Sequence, residues 1–192
     1  MANVLVLAAA LSLSAGCGAK SISVGSVPFP AEKPVFVDET GNETAGLPGP
    51  LEPVRLVFLD SPWCPQCREA WEAVGAAAGK VPPGSVRVVR ILFDRERIYE
   101  RGGTRETPPL HPAPAPGTTA GKPGAAPLEV TTLWALPGPF RKQFRVTQTP
   151  VLFLLDRSGK VTKRWTGYSP SLADSLAEEV RRRTDSPPAA EK

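Results

Sequence analysis

Trp63-Cys64-Pro65-Gln66-Cys67 sets two thiols one helical turn apart, directly after an apolar run and at the head of a segment with helical periodicity. In a first helical turn, sulfurs at this spacing reach bonding distance with little backbone movement, so a disulfide can form and open repeatedly. There the unpaired backbone N–H groups and the positive end of the helix dipole stabilise a thiolate, the nucleophile in thiol-disulfide exchange. Cys64 is therefore the predicted attacking sulfur. Cys67, a turn deeper and less exposed, is predicted to attack Cys64 in the mixed disulfide and release the reduced substrate. Pro65 suits the first turn, where its missing N–H costs nothing and its φ is preset. Two sulfurs suffice for this chemistry, which calls for no cofactor and no metal.

The motif needs a strand before it and a helix after it. Val54 to Leu59 is a nearly continuous apolar run between Pro53 and Asp60, the pattern of a central strand buried on both faces. A helix is predicted from the cysteines to about Gly79, with Ala70, Trp71, Val74, Ala77 and Ala78 facing inward. Pro82-Pro83-Gly84 turns the chain into a second strand, Val86 to Phe93, and the strand-helix-strand order implies parallel pairing. Leu128 to Leu133, a short helix near Pro139 to Phe144, and Val151 to Leu155 follow. Asp156-Arg157-Ser158-Gly159 makes a tight turn into Val161 to Thr166, and an amphipathic helix from about Pro170 to Arg183 closes the domain. At its start, Val35-Phe36-Val37 and Glu43 to Leu47 read as a hairpin.

The chain of 192 residues has room for one ordinary domain with tails. That domain is expected over 35–183, an α/β unit with a central mixed sheet and flanking helices. Seven prolines among small residues mark 107–127 as a surface insertion without a core, and 184–192 as a frayed tail follows the last helix. The net charge of +4 comes from scattered side chains. Its one basic run, Arg181-Arg182-Arg183, lies beside Glu178 and Glu179 at a helix end, where it complements the dipole and does not call for nucleic acid.

Val4 to Leu13 is long enough for the apolar core of a secretion signal and too short to span a bilayer. It ends in Leu13-Ser14-Ala15-Gly16-Cys17, which resembles the lipobox of bacterial lipoproteins. The n-region has no Lys or Arg, and Ser14 stands where that family usually places Leu. The resemblance implies a signal peptide over 1–16, a lipid on Cys17, and attachment to a membrane of the bacterial envelope, facing the periplasm. Residues 17–34, small and proline-spotted, are expected to form a flexible tether.

The apolar strand, the Trp-Cys-Pro-X-Cys motif opening a helix, and Thr149-Pro150 before the next apolar strand resemble the thioredoxin superfamily. The leading hairpin and the stretch Thr149 to Lys160 are most similar to its envelope branch of TlpA-like and cytochrome c maturation proteins. This resemblance implies a thioredoxin-like fold and exchange with protein thiols and disulfides, as a reductase fed by a membrane electron donor. It also implies a cis Pro150 against the active sulfurs, Thr149 offering its backbone to an extended substrate, and Trp63 shielding Cys64. Phe58 stands where thioredoxin has a buried Asp. Asp60 lies on the same strand face as Phe58 only if the strand extends that far, so Asp60 and Glu69 both remain candidates to assist Cys67.

A Cys-X-X-Cys can also be half of a zinc site, but the chain offers only His111 and Cys17 as further His or Cys ligands where structural zinc wants four. A thioredoxin-fold copper metallochaperone, with His111 as its added ligand, is the alternative function. An inert structural disulfide is disfavoured because so short a ring constrains the unfolded chain little. Ser61 precedes Cys64 as in peroxiredoxins, without the rest of their motif. Trp71 and Trp134 read as packing residues. Trp165 and Tyr168, around Gly167, could border a substrate groove.

Overall fold

The computed structural model describes residues 22–49, 54–61, 64–92 and 128–185. Ten elements follow one another: β1 (Phe36–Val37), β2 (Glu43–Thr44), β3 (Val54–Asp60), α1 (Pro65–Ala78), β4 (Val86–Leu92), β5 (Val130–Ala135), α2 (Pro137–Gln143), β6 (Val151–Leu155), β7 (Val161–Thr166) and α3 (Leu172–Asp185). The strands form one sheet in the order β2-β1-β5-β4-β3-β6-β7. β3 pairs in parallel with β4, β4 in parallel with β5, and β3 antiparallel with β6, which makes the sheet mixed. The buried strands β3, β4 and β6 carry apolar side chains on both faces because both faces are covered.

Alternation along β3 divides the core in two. Leu56 and Phe58 face α1 and α3, where Trp71, Val74, Leu176 and Val180 complete a cluster. Val57 and Leu59 face the other way, onto Phe140 and Phe144 around α2 and onto Phe29 and Phe36. The β1–β2 hairpin turns on Asp38, whose carboxylate accepts from the backbone N–H of Thr40 and Asn42, each at 2.9 Å. The Thr40 hydroxyl, which donates to the same oxygen at 2.7 Å, and then these backbone bonds hold its carboxyl below the usual range. At the opposite edge, Asp156 accepts from the N–H of Ser158 at 2.9 Å, and Gly159 takes a positive φ of 78° to close the β6–β7 turn.

One expectation is corrected. Residues 22–34 do not behave as tether: Ile22, Phe29 and Ala31 are buried in the core. The Phe29 ring lies 5.6 Å from Phe36 and 5.4 Å from Phe144, and Gly25 and Ser26 exchange two 2.8 Å backbone bonds with Val161 on β7. Composition suggested tether because Pro, Ser and Gly interrupt the apolar residues of this segment; the fold nonetheless gives Ile22, Phe29 and Ala31 buried places. β2 is shorter than expected, and α2 begins two residues earlier, at Pro137. The expected signal segment 1–16, Cys17, Trp63, His111, the expected insertion 107–127 and the residues beyond Asp185 lie outside the described residues.

Candidate functional site

β3 ends at Asp60, and α1 begins at Pro65 with Cys64 as its N-cap, in an extended conformation of φ −98° and ψ 109°. That geometry aims the Cys64 sulfur at the helix end. The N–H of Cys67 donates to Cys64 Sγ at 3.2 Å and to the Cys64 carbonyl at 3.0 Å, so a donor of the first turn is shared between the sulfur and the cap carbonyl. Pro65 and Gln66 are exposed, Cys64 is half-buried, and Cys67 is fully buried; both cysteines are free thiols.

The second wall comes from the far side of the chain. The Thr149–Pro150 bond is cis, and the Thr149 carbonyl accepts from Cys64 Sγ at 3.5 Å across 85 positions of sequence. Pro150 is buried, and its own carbonyl accepts from the Gly167 N–H at 2.8 Å, tying the end of β7 to this corner. Gly167 has a φ of 75°, and a Cβ there would sit 3.9 Å from Gln66 Oε1, so the β7 end lies alongside the cysteine motif. Tyr168 is exposed, while Trp165 turns inward and donates from Nε1 to Ser175 Oγ on α3 at 3.0 Å.

β3 does extend to Asp60, which places this carboxylate on the same face as Phe58, beneath α1. It is fully buried and pairs with Arg90 of β4, which is 2% exposed; Arg90 Nε donates to Oδ2 at 2.7 Å and Nη2 also reaches Oδ2. Asp60 Oδ1 is buried with no hydrogen-bond partner. Trp71 of α1 roofs the pair, its ring 4.8 Å from Arg90 Cζ and stacked on Phe58 at 5.5 Å and 15°. Trp71 is thus a packing residue that also covers a charge. Burial pushes the Cys67 thiol up, the Cys64 sulfur and the negative charge of Asp60 push the same way, and a backbone N–H of Ser61 opposes them. Glu69 faces solvent on α1, so of the two candidate acids Asp60 is the one beneath Cys67.

Sequence reading missed Arg90. Its signal was a cation inside the apolar run of β4, where a buried charge requires a buried partner. Among the described residues no cluster of three or more His, Cys, Asp or Glu side chains could hold a metal.

No protein-family model matches the sequence, and no curated protein matches it. Solved structures do match. A thioredoxin-like protein from Porphyromonas gingivalis, whose title calls it uncharacterized, aligns at a TM-score of 0.52 with 18% identity, over 79% of this chain and 90% of its own. A Chlorobium tepidum protein assigned as thiol:disulfide interchange protein DsbE aligns at 0.50 with 18% identity, over 85% and 99%. Arabidopsis thaliana ScoI, solved with copper bound, aligns at 0.50 with 15% identity, over 80% and 99%. With a mixed sheet, helices on its faces and a two-cysteine helix start opposite a cis proline, the chain has a thioredoxin-like fold.

Proposed function

We propose that this chain is a thiol-disulfide oxidoreductase of the bacterial cell envelope, similar to the TlpA-like branch, acting on protein substrates as a reductase. One observation carries the reading: Cys64 caps a helix with its sulfur receiving the Cys67 N–H, while Cys67 is fully buried above a carboxylate. The two thiols are chemically unequal, as an attacking and a resolving sulfur must be.

In the forward step the Cys64 thiolate attacks one sulfur of a substrate disulfide, forming a mixed disulfide and expelling the other sulfur as a thiolate. Cys67 then gives up its proton and attacks Cys64, closing the Cys64–Cys67 disulfide and releasing the second substrate sulfur. Two electrons pass to the substrate, whose thiolates take up two protons. Asp60 is the buried acceptor beside the proton that Cys67 must lose. The Thr149 carbonyl, level with Cys64, offers an extended substrate a backbone acceptor. A membrane electron donor would reduce the disulfide again, and a lipid on Cys17 would keep the enzyme at the membrane.

Reduction of insulin or glutathione disulfide by the purified protein, abolished in Cys64→Ser, tests the activity. Incorporation of a fatty-acid analogue, with Cys17→Ser as control, tests the anchor. The equilibrium potential of the cysteine pair tests the direction, with a reductase lying toward the thioredoxin end of the range, near −270 mV. The copper-delivery alternative depends on His111, and stoichiometric Cu(I) uptake abolished by His111→Ala would replace this proposal.

A further inference from the structure

The start of the described chain lies beside the site. Ile22 is buried against Val146, Thr147 and Val151, in a crevice that Arg145 and Arg164 share, and its carbonyl accepts from Arg164 Nη1 at 3.4 Å. Thr147 and Val151 flank the Thr149–Pro150 corner that holds Cys64. From Ile22 the segment runs back along β7 to Val161, and Val27 reaches the β6–β7 turn, where a Cβ on Gly159 would stand 3.8 Å from it. Cys17 is five residues before Ile22, a stretch whose full extension is about 18 Å. A bilayer holding Cys17 would therefore lie close to this end of the molecule.

The surface around that path has the composition of a membrane-contacting face. Val24 and Val27 are 61% and 57% exposed, large apolar side chains left in solvent by a segment that buries Ile22 and Phe29. Arg145 and Lys160 are exposed on either side, and Lys142 is exposed on α2, which the Phe29–Phe144 contact fixes beside the segment. Among the described residues, none of Lys142, Arg145, Lys160 and Arg164 is in an ion pair, which leaves their charges available to an anionic surface. Exposed valines with these cations beside them fit an anionic lipid surface, which attracts each cation and accepts the apolar tips, although the Asp156 carboxylate in the β6–β7 turn offsets part of the charge.

We propose that the face carrying Val24, Val27, Lys142, Arg145, Lys160 and Arg164 docks on an anionic phospholipid surface. It rests on the lipid-anchored reading for its biological setting.

The test uses the mature chain 17–192 with Cys17→Ser, which contains every described element, floated with vesicles of phosphatidylcholine alone or with 30% phosphatidylglycerol. Binding is expected only to the anionic vesicles and is expected to weaken with added salt. Each cation at such a surface contributes about a fivefold factor, so Lys142→Ala with Arg145→Ala should weaken binding about 30-fold while insulin reduction is unchanged. Val24→Ser with Val27→Ser should weaken it as well. Absence of binding to anionic vesicles, equal binding to both vesicle types, or wild-type binding by the Lys142/Arg145 variant would overturn the proposal. The intact mass of the wild-type protein purified from membranes reports separately on the lipid at Cys17, so either reading can fail without the other.

Discussion

Replacing Arg90 with Met removes the cation that compensates a fully buried carboxylate. The side chains of Arg90 and Asp60 are 2% and 1% exposed, so water screens neither charge. Breaking such a pair costs about 3–5 kcal/mol because the remaining charge has no compensation. Loss of the contact with the Trp71 face adds a smaller amount, about 1 kcal/mol. Against a total stability of about 5–15 kcal/mol, Arg90→Met should bring the domain near its threshold. Adding Asp60→Asn should restore part of the loss, because a neutral amide in the same place needs no counter-ion. Urea unfolding of the wild type, both single variants and the double variant closes the cycle. The double variant should be more stable than the sum of the single losses by 2 kcal/mol or more. Additive losses would show that the two side chains do not depend on each other and would refute the reasoning.

Further consequences follow from the same geometry. Cys67 binds its proton more tightly in the folded state, so its stabilising contribution is complete below about pH 8.5 and is lost as pH rises. The reduced protein should therefore lose up to about 1.4 kcal/mol per pH unit above that point, a slope that should vanish in Cys67→Ala when unfolding is followed against pH. The charge of Asp60 pushes the Cys67 thiol up, so Asp60→Asn should move the pH profile of turnover toward lower pH; an unmoved profile would remove Asp60 from the proton step. Phe29→Ala should cost about 3 kcal/mol in thermal or urea unfolding, since the ring is buried between Phe36 and Phe144; no loss would return this segment to a tether.

What could be read without coordinates was local. The cysteine spacing, the apolar run of β3, the Pro-Pro-Gly break before β4 and the Asp-Arg-Ser-Gly turn each state their structure within a few residues, because period and turn chemistry are short-range properties. The strand–helix–strand order added the parallel pairing of β3 with β4. What escaped depends on distant partners. Phe29 has Val27 and Ala31 at a strand period, but Pro28 and Pro30 between them break the strand pattern, and its burial is decided by Phe36 and Phe144. Arg90 is compatible with an apolar strand only because Asp60, thirty positions earlier, ends the adjacent one on the same face. The sequence raised Asp60 as a possibility conditional on strand length, and the one extra residue of β3 decides that it faces α1.

The most direct test is competition between the two thiols. The fully reduced protein, treated with a limiting amount of iodoacetamide across pH 5 to 9 and mapped by mass spectrometry, should carry the first label on Cys64 throughout, with Cys67 protected until unfolding. Equal labelling of both sulfurs, or first labelling at Cys67, would contradict the division into attacking and resolving thiols.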